Sequence, residues 1–317
     1  MDADARPFPV IAGPTAGGKS ALAQALAGAI ARAGGAAEIL SADAFQVYRG
    51  LDIGTAKPSA AERAATPHHL IDIRDPREAF SVDQWLRLAN PLIDELRGRG
   101  VTPIVVGGTH FYIKALLEGL FEGPPADPAV RAELAALPLD TLRAELERAD
   151  PAAAARLHPN DRRRTVRALE VYRRTGEPIS AMQQQWDAQR RPDARLIILD
   201  WPAQAINRRI NARVRAMIDA GLIDEARALH DAGALGPQAR QAIGYKQLIE
   251  HFEGRSSLDD AIERIKIDTR RFAKNQRTWL RRLSVAPAGA PAAITLPGAE
   301  ADTTGLTFDV GMFFYPA

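Results

Sequence analysis

The chain contains no cysteine, so disulfides, zinc ribbons, iron–sulfur clusters and thiol nucleophiles are excluded. It lacks any apolar run near the roughly 20 residues that a membrane-spanning helix needs. Met1 to Val10 is acidic and proline-containing, without the basic-then-apolar pattern of a secretory leader. A cytoplasmic protein is the expectation. Strong charge of one sign is missing too: 41 Lys and Arg stand against 39 Asp and Glu, a net +2. The overall charge therefore says little about a nucleic-acid partner, and its distribution has to be read instead. No internal repeat is present, and nothing calls for a protein partner, so a monomer is expected.

What is there is a chain of 317 residues, 46% hydrophobic and 25% charged. That profile belongs to a globular protein of one domain plus an insertion. The first 120 or so residues alternate short apolar strands, at Phe8–Ala12, Glu38–Ala42, His69–Ile73 and Thr102–Val106, with helical stretches. Ser20 to Arg32 is rich in Ala and Leu. Ser81 to Arg99 opens on Ser81 as N-cap and carries Trp85, Leu88, Leu92 and Leu96 at helical spacing. Alternation of this kind predicts an α/β fold with a parallel sheet core flanked by helices. From Phe121 to about Arg195 the chain opens with Pro124, Pro125 and Pro128, then turns rich in Ala, Leu and Arg without a convincing strand. This predicts an inserted all-helical domain, 123–195, between core segments 1–122 and 196–317. Leu196–Leu199 returns to the sheet, and four helices follow, the last and longest from Leu258 to about Leu283. The tail from Val285 to Gly305, rich in Ala, Pro and Gly, is expected to be a loosely held loop.

Gly13-Pro14-Thr15-Ala16-Gly17-Gly18-Lys19-Ser20 matches G-x-x-x-x-G-K-[ST] between a strand and a helix, the context in which this spacing binds phosphates. Glycines let backbone N–H groups turn inward around a diphosphate, and the helix N-terminus adds a positive field. Lys19 supplies a point charge, and the Ser20 hydroxyl is a ligand for Mg²⁺. A diphosphate or a triphosphate is expected here. A nucleotide hydrolase of this class also carries an acidic residue at the end of a second core strand. The strand Pro103-Ile104-Val105-Val106 instead runs into Gly107-Gly108-Thr109. Asp43, after the strand ending at Ala42, is the acidic residue nearest the loop by topology. It suits three roles: orienting a metal, accepting a proton from a nucleophile, or capping a turn. His68, His69 and His110 show no metal-ligand spacing and are assigned no catalytic role.

Further blocks are Asp43-Ala44-Phe45-Gln46, Asp52-Ile53-Gly54-Thr55-Ala56-Lys57-Pro58, Val106-Gly107-Gly108-Thr109, and His158-Pro159-Asn160-Asp161 leading to Arg164, Arg167 and Glu170. Gln241-Ala242-Ile243-Gly244-Tyr245-Lys246 and Lys274-Asn275-Gln276-Arg277-Thr278-Trp279-Leu280-Arg281 complete the set. In this order, over about Val10 to Leu283, the sequence resembles the tRNA dimethylallyltransferases, also called tRNA isopentenyltransferases. The resemblance implies transfer of a dimethylallyl group from dimethylallyl diphosphate to the N6 amine of the adenosine immediately 3′ of the anticodon. The phosphate loop would hold the donor diphosphate. Asp43 would be the general base, Thr109 would help bind the bridging oxygen, and Arg131 would sit at the reaction centre. The anticodon stem-loop would be met by Asp43, Ala44, Phe45 and Gln46; by Arg163, Arg164, Thr165, Val166 and Arg167; and by Gln241 to Lys246 and Lys274 to Arg281. The family often has Asp-Ser-Met-Gln where this chain has Asp43-Ala44-Phe45-Gln46, so base and amide are kept while Phe45 brings a new ring beside the flipped adenine.

The chemistry suits these residues. The adenine amine is a weak nucleophile, whereas an allylic C1 becomes cationic as its diphosphate leaves. The site must neutralise diphosphate and remove a proton from nitrogen, inside a channel of apolar side chains that excludes water. Basic surface for the RNA backbone is available. Arg162, Arg163, Arg164, Arg167, Arg173 and Arg174 stand against Asp161 and Glu170 alone. On the last helix Arg270, Lys274, Arg277 and Arg281 fall at i, i+4, i+7 and i+11, with Leu258, Ile262, Ile265, Phe272 and Trp279 expected on the opposite, inward face. Three rivals remain: a P-loop small-molecule kinase using ATP, a prenyltransferase acting on free adenylate, and a non-catalytic RNA-binding protein. The first two leave the arginine cluster idle, and the third has no use for Lys19, Ser20, Asp43 and Thr109 together.

Overall fold

The computed structural model describes residues 7–121, 123–183, 190–287 and 289–298. The N-terminal segment up to residue 6, and residue 288 and residues 299–305 of the tail expected to be a loop, lie outside the described residues. The chain divides into two compact units, Met1–Leu117 with Arg190–Ala317, and Glu118–Gln189.

The first unit is built on a parallel sheet. Its first half runs β1 (Phe8–Ala12), α1 (Lys19–Arg32), β2 (Ala36–Ser41), α2 (Ala60–Ala65), β3 (His68–His69), α3 (Val82–Gly98), β4 (Val101–Gly107) and α4 (His110–Glu118). After the second unit, with α5 (Pro128–Ala136), α6 (Leu139–Ala149), α7 (Pro151–Arg156), α8 (Arg162–Thr175) and α9 (Ile179–Met182), it resumes with β5 (Ala194–Asp200), α10 (Ala203–Asp219), α11 (Leu222–Asp231), α12 (Tyr245–Phe252), α13 (Leu258–Leu283) and β6 (Ile294–Pro297).

The described strands form one sheet in the order β3-β2-β4-β1-β5-β6, every pairing parallel. β1 lies inside it, with Val10 opposite Val105 on one side and Leu196 on the other. Its five residues are all buried, the mark of a strand covered on both faces. The C-terminal ends of β2, β4 and β1 are therefore neighbours. In parallel sheets that rim is where ligands bind, and the three loops leaving it carry the phosphate motif, Asp43 and Thr109.

Ser81 does cap α3, its hydroxyl accepting Gln84 N–H in a reciprocal capping box. Two expectations are corrected. The strand predicted over His69–Ile73 ends at His69 because Leu70 and Asp72 take left-handed φ of 61° and 59°. That geometry turns the Asp72 carboxylate onto Lys57 and Arg63. In the tail, Ile294–Pro297 is not loop: it pairs with β5, Ile294 opposite Ile197, and extends the sheet edge.

The second unit packs its own core from Leu134, Leu142, Leu146, Leu169, Val171 and Ile179. Its limits differ from the predicted 123–195. Arg190 already bonds the Leu283 carbonyl at 3.0 Å and β5 starts at Ala194, so the chain has rejoined the first unit before residue 195.

Candidate active site

The phosphate loop wraps the start of α1. Gly18 takes φ 86° as the N-cap residue, and Ala16 is held at φ 60°, a left-handed conformation that costs a non-glycine residue energy. The surroundings impose it. Trp201 Nε1 donates to the Gly17 carbonyl at 3.0 Å, and Arg209 Nε donates to the Ala16 carbonyl at 2.8 Å while stacking on the Trp201 ring. With those carbonyls fixed outward, the N–H groups at the helix start are left for an anion. Lys19 folds back to donate to the Pro14 carbonyl at 2.9 Å. Burial pushes its pKa down to about 8; Arg213 lowers it further and Asp43 opposes. The Ser20 hydroxyl is exposed at the first turn of α1. Among the described residues no group of three or more His, Cys, Asp or Glu could hold a metal. The Ser20 hydroxyl is the group here that would meet an Mg²⁺ ion carried by ligand phosphates.

Asp43 and Thr109 are brought together by the adjacency of β2 and β4. Thr109 Oγ1 accepts Ala44 N–H at 3.0 Å, and Thr109 N–H donates to the Ala42 carbonyl at 3.2 Å. The two strand ends approach so closely that a Cβ at Gly107 would stand 2.1 Å from the Ala42 oxygen, so only glycine fits. Asp43 Oδ1 caps its own turn, accepting Phe45 N–H at 2.9 Å and Gln46 N–H at 3.3 Å. Oδ2 carries no such bond among the described residues. The carboxylate is near enough to Lys19 and Arg213 to support both charges. Turn residue and open carboxylate are thus one side chain.

The Asp52–Pro58 segment is a scaffold locked by buried charge. Glu225 on α11 accepts the N–H groups of Asp52, Ile53 and Gly54 at 2.9–3.3 Å and the Tyr245 hydroxyl at 2.5 Å. Lys57, its side chain 2% exposed, donates to the Tyr48 carbonyl and to Asp52, both at 2.6 Å, and pairs with Asp72. Between this loop and α10 lies a cleft of about 600 Å³, walled by Ile53, Ala56, Ala216, Met217 and Ala220, with Arg213 in its lining. Arg209, Arg213, Trp201 and Glu225 were not singled out from the sequence. The i, i+4 arginines on the helix directly after β5 were the available signal for the first two.

Comparison with known proteins bears on this arrangement. The family model described as IPP transferase matches residues 46–283. The tRNA dimethylallyltransferase of Geobacillus kaustophilus is 49% identical over 277 residues, 86% of each chain. Among solved structures, the full-length tRNA isopentenylpyrophosphate transferase of Bacillus halodurans is similar at 39% identity and TM-score 0.66, covering 94% of this chain and 92% of that one. A eukaryotic dimethylallyltransferase described as acting on tRNA is similar at 27% identity and TM-score 0.79, covering 93% and 74%. The chain belongs to the IPP transferase family.

The expected RNA-facing residues divide by exposure. Arg163, Arg164, Gln241, Lys246, Lys274, Asn275, Thr278 and Arg281 are exposed, and Val166, Arg167, Ile243, Arg277 and Trp279 are half-buried. Thr165, Ala242, Gly244, Tyr245, Gln276 and Leu280 are buried. Thr165 bonds the Asp161 carbonyl, Tyr245 bonds Glu225, and Leu280 packs in the core. Gln46 also spends its amide internally, accepting from Ser41 Oγ at 2.8 Å and donating to the Thr55 and Ala56 carbonyls. Ala44 and Phe45 are half-buried against the core. The inward face of α13 is Ala261, Ile265, Ala273, Gln276, Leu280 and Leu283, whereas Phe272, expected inside, is 41% exposed.

In the second unit, Arg131 is not a lone cation. Its Nε lies 3.0 Å from Glu170, a fully buried carboxylate that also takes Arg167 Nη1 at 2.7 Å and Asp127 N–H at 2.6 Å. The two arginines together hold the Glu170 carboxyl below its usual range against the opposing effect of its burial. Among the described residues, no helix is long and apolar enough to cross a membrane.

Proposed function

We propose that this enzyme transfers the dimethylallyl group of dimethylallyl diphosphate to the N6 amine of the adenosine immediately 3′ of the anticodon in tRNA, releasing diphosphate. The observation that carries the reading is the pairing of a complete phosphate loop with an open Asp43 oxygen, where β4 ends in Gly107-Gly108-Thr109 and not in the carboxylate of a nucleotide hydrolase.

The free N–H groups of the loop, Lys19 and Arg213 neutralise the diphosphate as the C1–O bond breaks. N6 forms the new bond to C1, and its proton passes to Asp43 Oδ2. Thr109, held 3.0 Å from the Ala44 nitrogen, stands between base loop and phosphate loop and donates its hydroxyl to the bridging oxygen. Mg²⁺ bound to Ser20 and the phosphates would supply further positive charge to the leaving group. The apolar wall of Ile53, Ala56 and Met217 keeps water from the allylic carbon. The anticodon stem-loop is met by the exposed cations Arg163, Arg164, Lys246, Lys274 and Arg281. Arg131, paired with Glu170 in the second unit, keeps the role that the family resemblance implies. The enzyme works in the cytoplasm as a monomer.

The test mixes protein, Mg²⁺ and radiolabelled dimethylallyl diphosphate with unmodified tRNA, with AMP as a parallel acceptor and ATP turnover as control. Label in tRNA and none in AMP is the expected result. Label in AMP alone makes it a free-nucleotide enzyme, and ATP turnover without label makes it a kinase. Asp43→Ala should lower transfer by about a thousandfold with diphosphate binding retained. Parallel loss of diphosphate binding would make Asp43 a metal or structural residue.

A further inference from the structure

Gln276 lies on α13, on the helical turn that carries Lys274 and Arg277, yet it is only 2% exposed. Its Oε1 accepts the N–H of Thr15 in the phosphate loop at 2.7 Å, and its Nε2 donates to the Gly108 carbonyl at 2.8 Å. A Cβ at Gly108 would come within 2.9 Å of that nitrogen, so the backbone there is shaped to admit the amide. From Gly108 the connection continues one residue on, where Thr109 bonds Ala42 and Ala44 on either side of Asp43.

We propose that Gln276 is a positioning residue for the transfer reaction: its single amide clamps the phosphate loop to the Gly108-Thr109 loop and so fixes the leaving-group site relative to Asp43. The inference rests on the prenyl-transfer reading for what the clamp serves. Three loops at the ends of β1, β4 and β2 must hold diphosphate, bridging oxygen and amine in line, and a misplacement of about 1 Å costs about a hundredfold in rate. Backbone pairing along the strands stops before these loops, and the Gln276 amide supplies the missing tie between two of them. It also consumes the Thr15 N–H, which leaves the N–H groups further along the loop, at the start of α1, to take the anion. The carboxamide suits the task because its oxygen accepts while its nitrogen donates.

Two variants test it. In Gln276→Leu, Thr15 N–H and the Gly108 carbonyl lose their partners. Affinity for inorganic diphosphate with Mg²⁺, read by calorimetry, should fall about tenfold and kcat at least as much, with KM for tRNA within about twofold. In Gln276→Glu the ionised carboxylate still accepts from Thr15 but faces the Gly108 oxygen and the diphosphate. Protonation restores the donor; burial raises the pKa of such a carboxyl, and Lys19, whose Nζ lies 3.7 Å from where a Gly108 Cβ would stand, opposes that rise when charged. Its kcat relative to the unaltered enzyme should therefore recover several-fold as pH falls from about 8 to about 5. A selective rise in KM for tRNA with diphosphate affinity intact would overturn the proposal and return Gln276 to RNA contact. A pH-independent loss in Gln276→Glu would also overturn it. If Gln276→Leu fails to fold, the pH profile of Gln276→Glu decides alone. The diphosphate arm needs no transfer, so failure of this inference and failure of the prenyl-transfer reading give different results.

Discussion

Lys19 sits where its own charge is disfavoured: burial and Arg213 both lower its pKa, to about 8, and only Asp43 opposes them. A bound diphosphate reverses that balance, since anionic oxygens favour the ammonium form. The sign of the linkage follows. Above about pH 8 the free enzyme holds Lys19 neutral while the complex holds it charged, so binding takes up a proton and weakens as pH rises. Calorimetry of diphosphate binding near pH 8.5 or so, in buffers of different ionisation enthalpy, should show that uptake after correction for the ligand's own titration. Lys19→Arg, charged throughout this range, should show none. His110, next along the chain from Thr109, is the opposite case. It is buried beside Lys19, with Nε2 unpartnered among the described residues, and burial followed by the Lys19 charge drives its pKa to about 3. It stays neutral across the working range and adds no step to the pH profile.

Among the elements, the Asp52–Pro58 loop depends on a carboxylate about 170 residues away in sequence, with Glu225 serving three successive backbone N–H groups and a buried phenol. Glu225→Ala would leave the Tyr245 hydroxyl and the loop N–H groups without acceptors, a cost of about 3 kcal/mol. Thermal and urea unfolding should both report it, while Glu225→Gln, which keeps one acceptor oxygen, should lose about half as much. Local pattern could not reveal such ties. The strand–loop–helix of the phosphate motif was legible because glycine spacing and a central apolar strand are both local signals. β3 was overextended because the left-handed turn at Leu70 and Asp72 answers to Lys57 and Arg63, not to local propensity. β6 was missed because its alternation, Ile294 and Leu296 half-buried against exposed Thr295 and Pro297, spans only four residues of a stretch rich in Ala and Pro. On α13 the large apolar residues suggested the inward face, but the helix packs closely on α10 and α12. Small residues such as Ala261 and Ala273 therefore take the contact, and Phe272 turns outward.

For the whole molecule, a net charge of +2 conceals how the cations are spent. Arg131 and Arg167 are committed to Glu170, Arg173 to Glu145, and Arg191 to Asp193, pairs that shape the fold. Arg163, Lys246, Lys274 and Arg281 are exposed and enter no ion pair among the described residues. If these four meet phosphates, each releases bound counterions when RNA seats, and tRNA affinity must fall steeply with salt. Single alanine substitutions at Lys274 or Arg281 should reduce the slope of log affinity against log salt by roughly one. They should weaken tRNAs of different sequence alike and leave inorganic diphosphate affinity unchanged, because neither residue touches the phosphate loop. Arg173→Ala should leave the slope unaltered and lower the melting temperature instead, since its charge is already neutralised by Glu145 at 2.8 Å. An unchanged slope in both exposed variants would mean that the stripe on α13 is merely a solvated face. The RNA contact would then have to come from Lys246 or from the cations of the second unit, which the same measurement on Lys246→Ala and Arg163→Ala would detect.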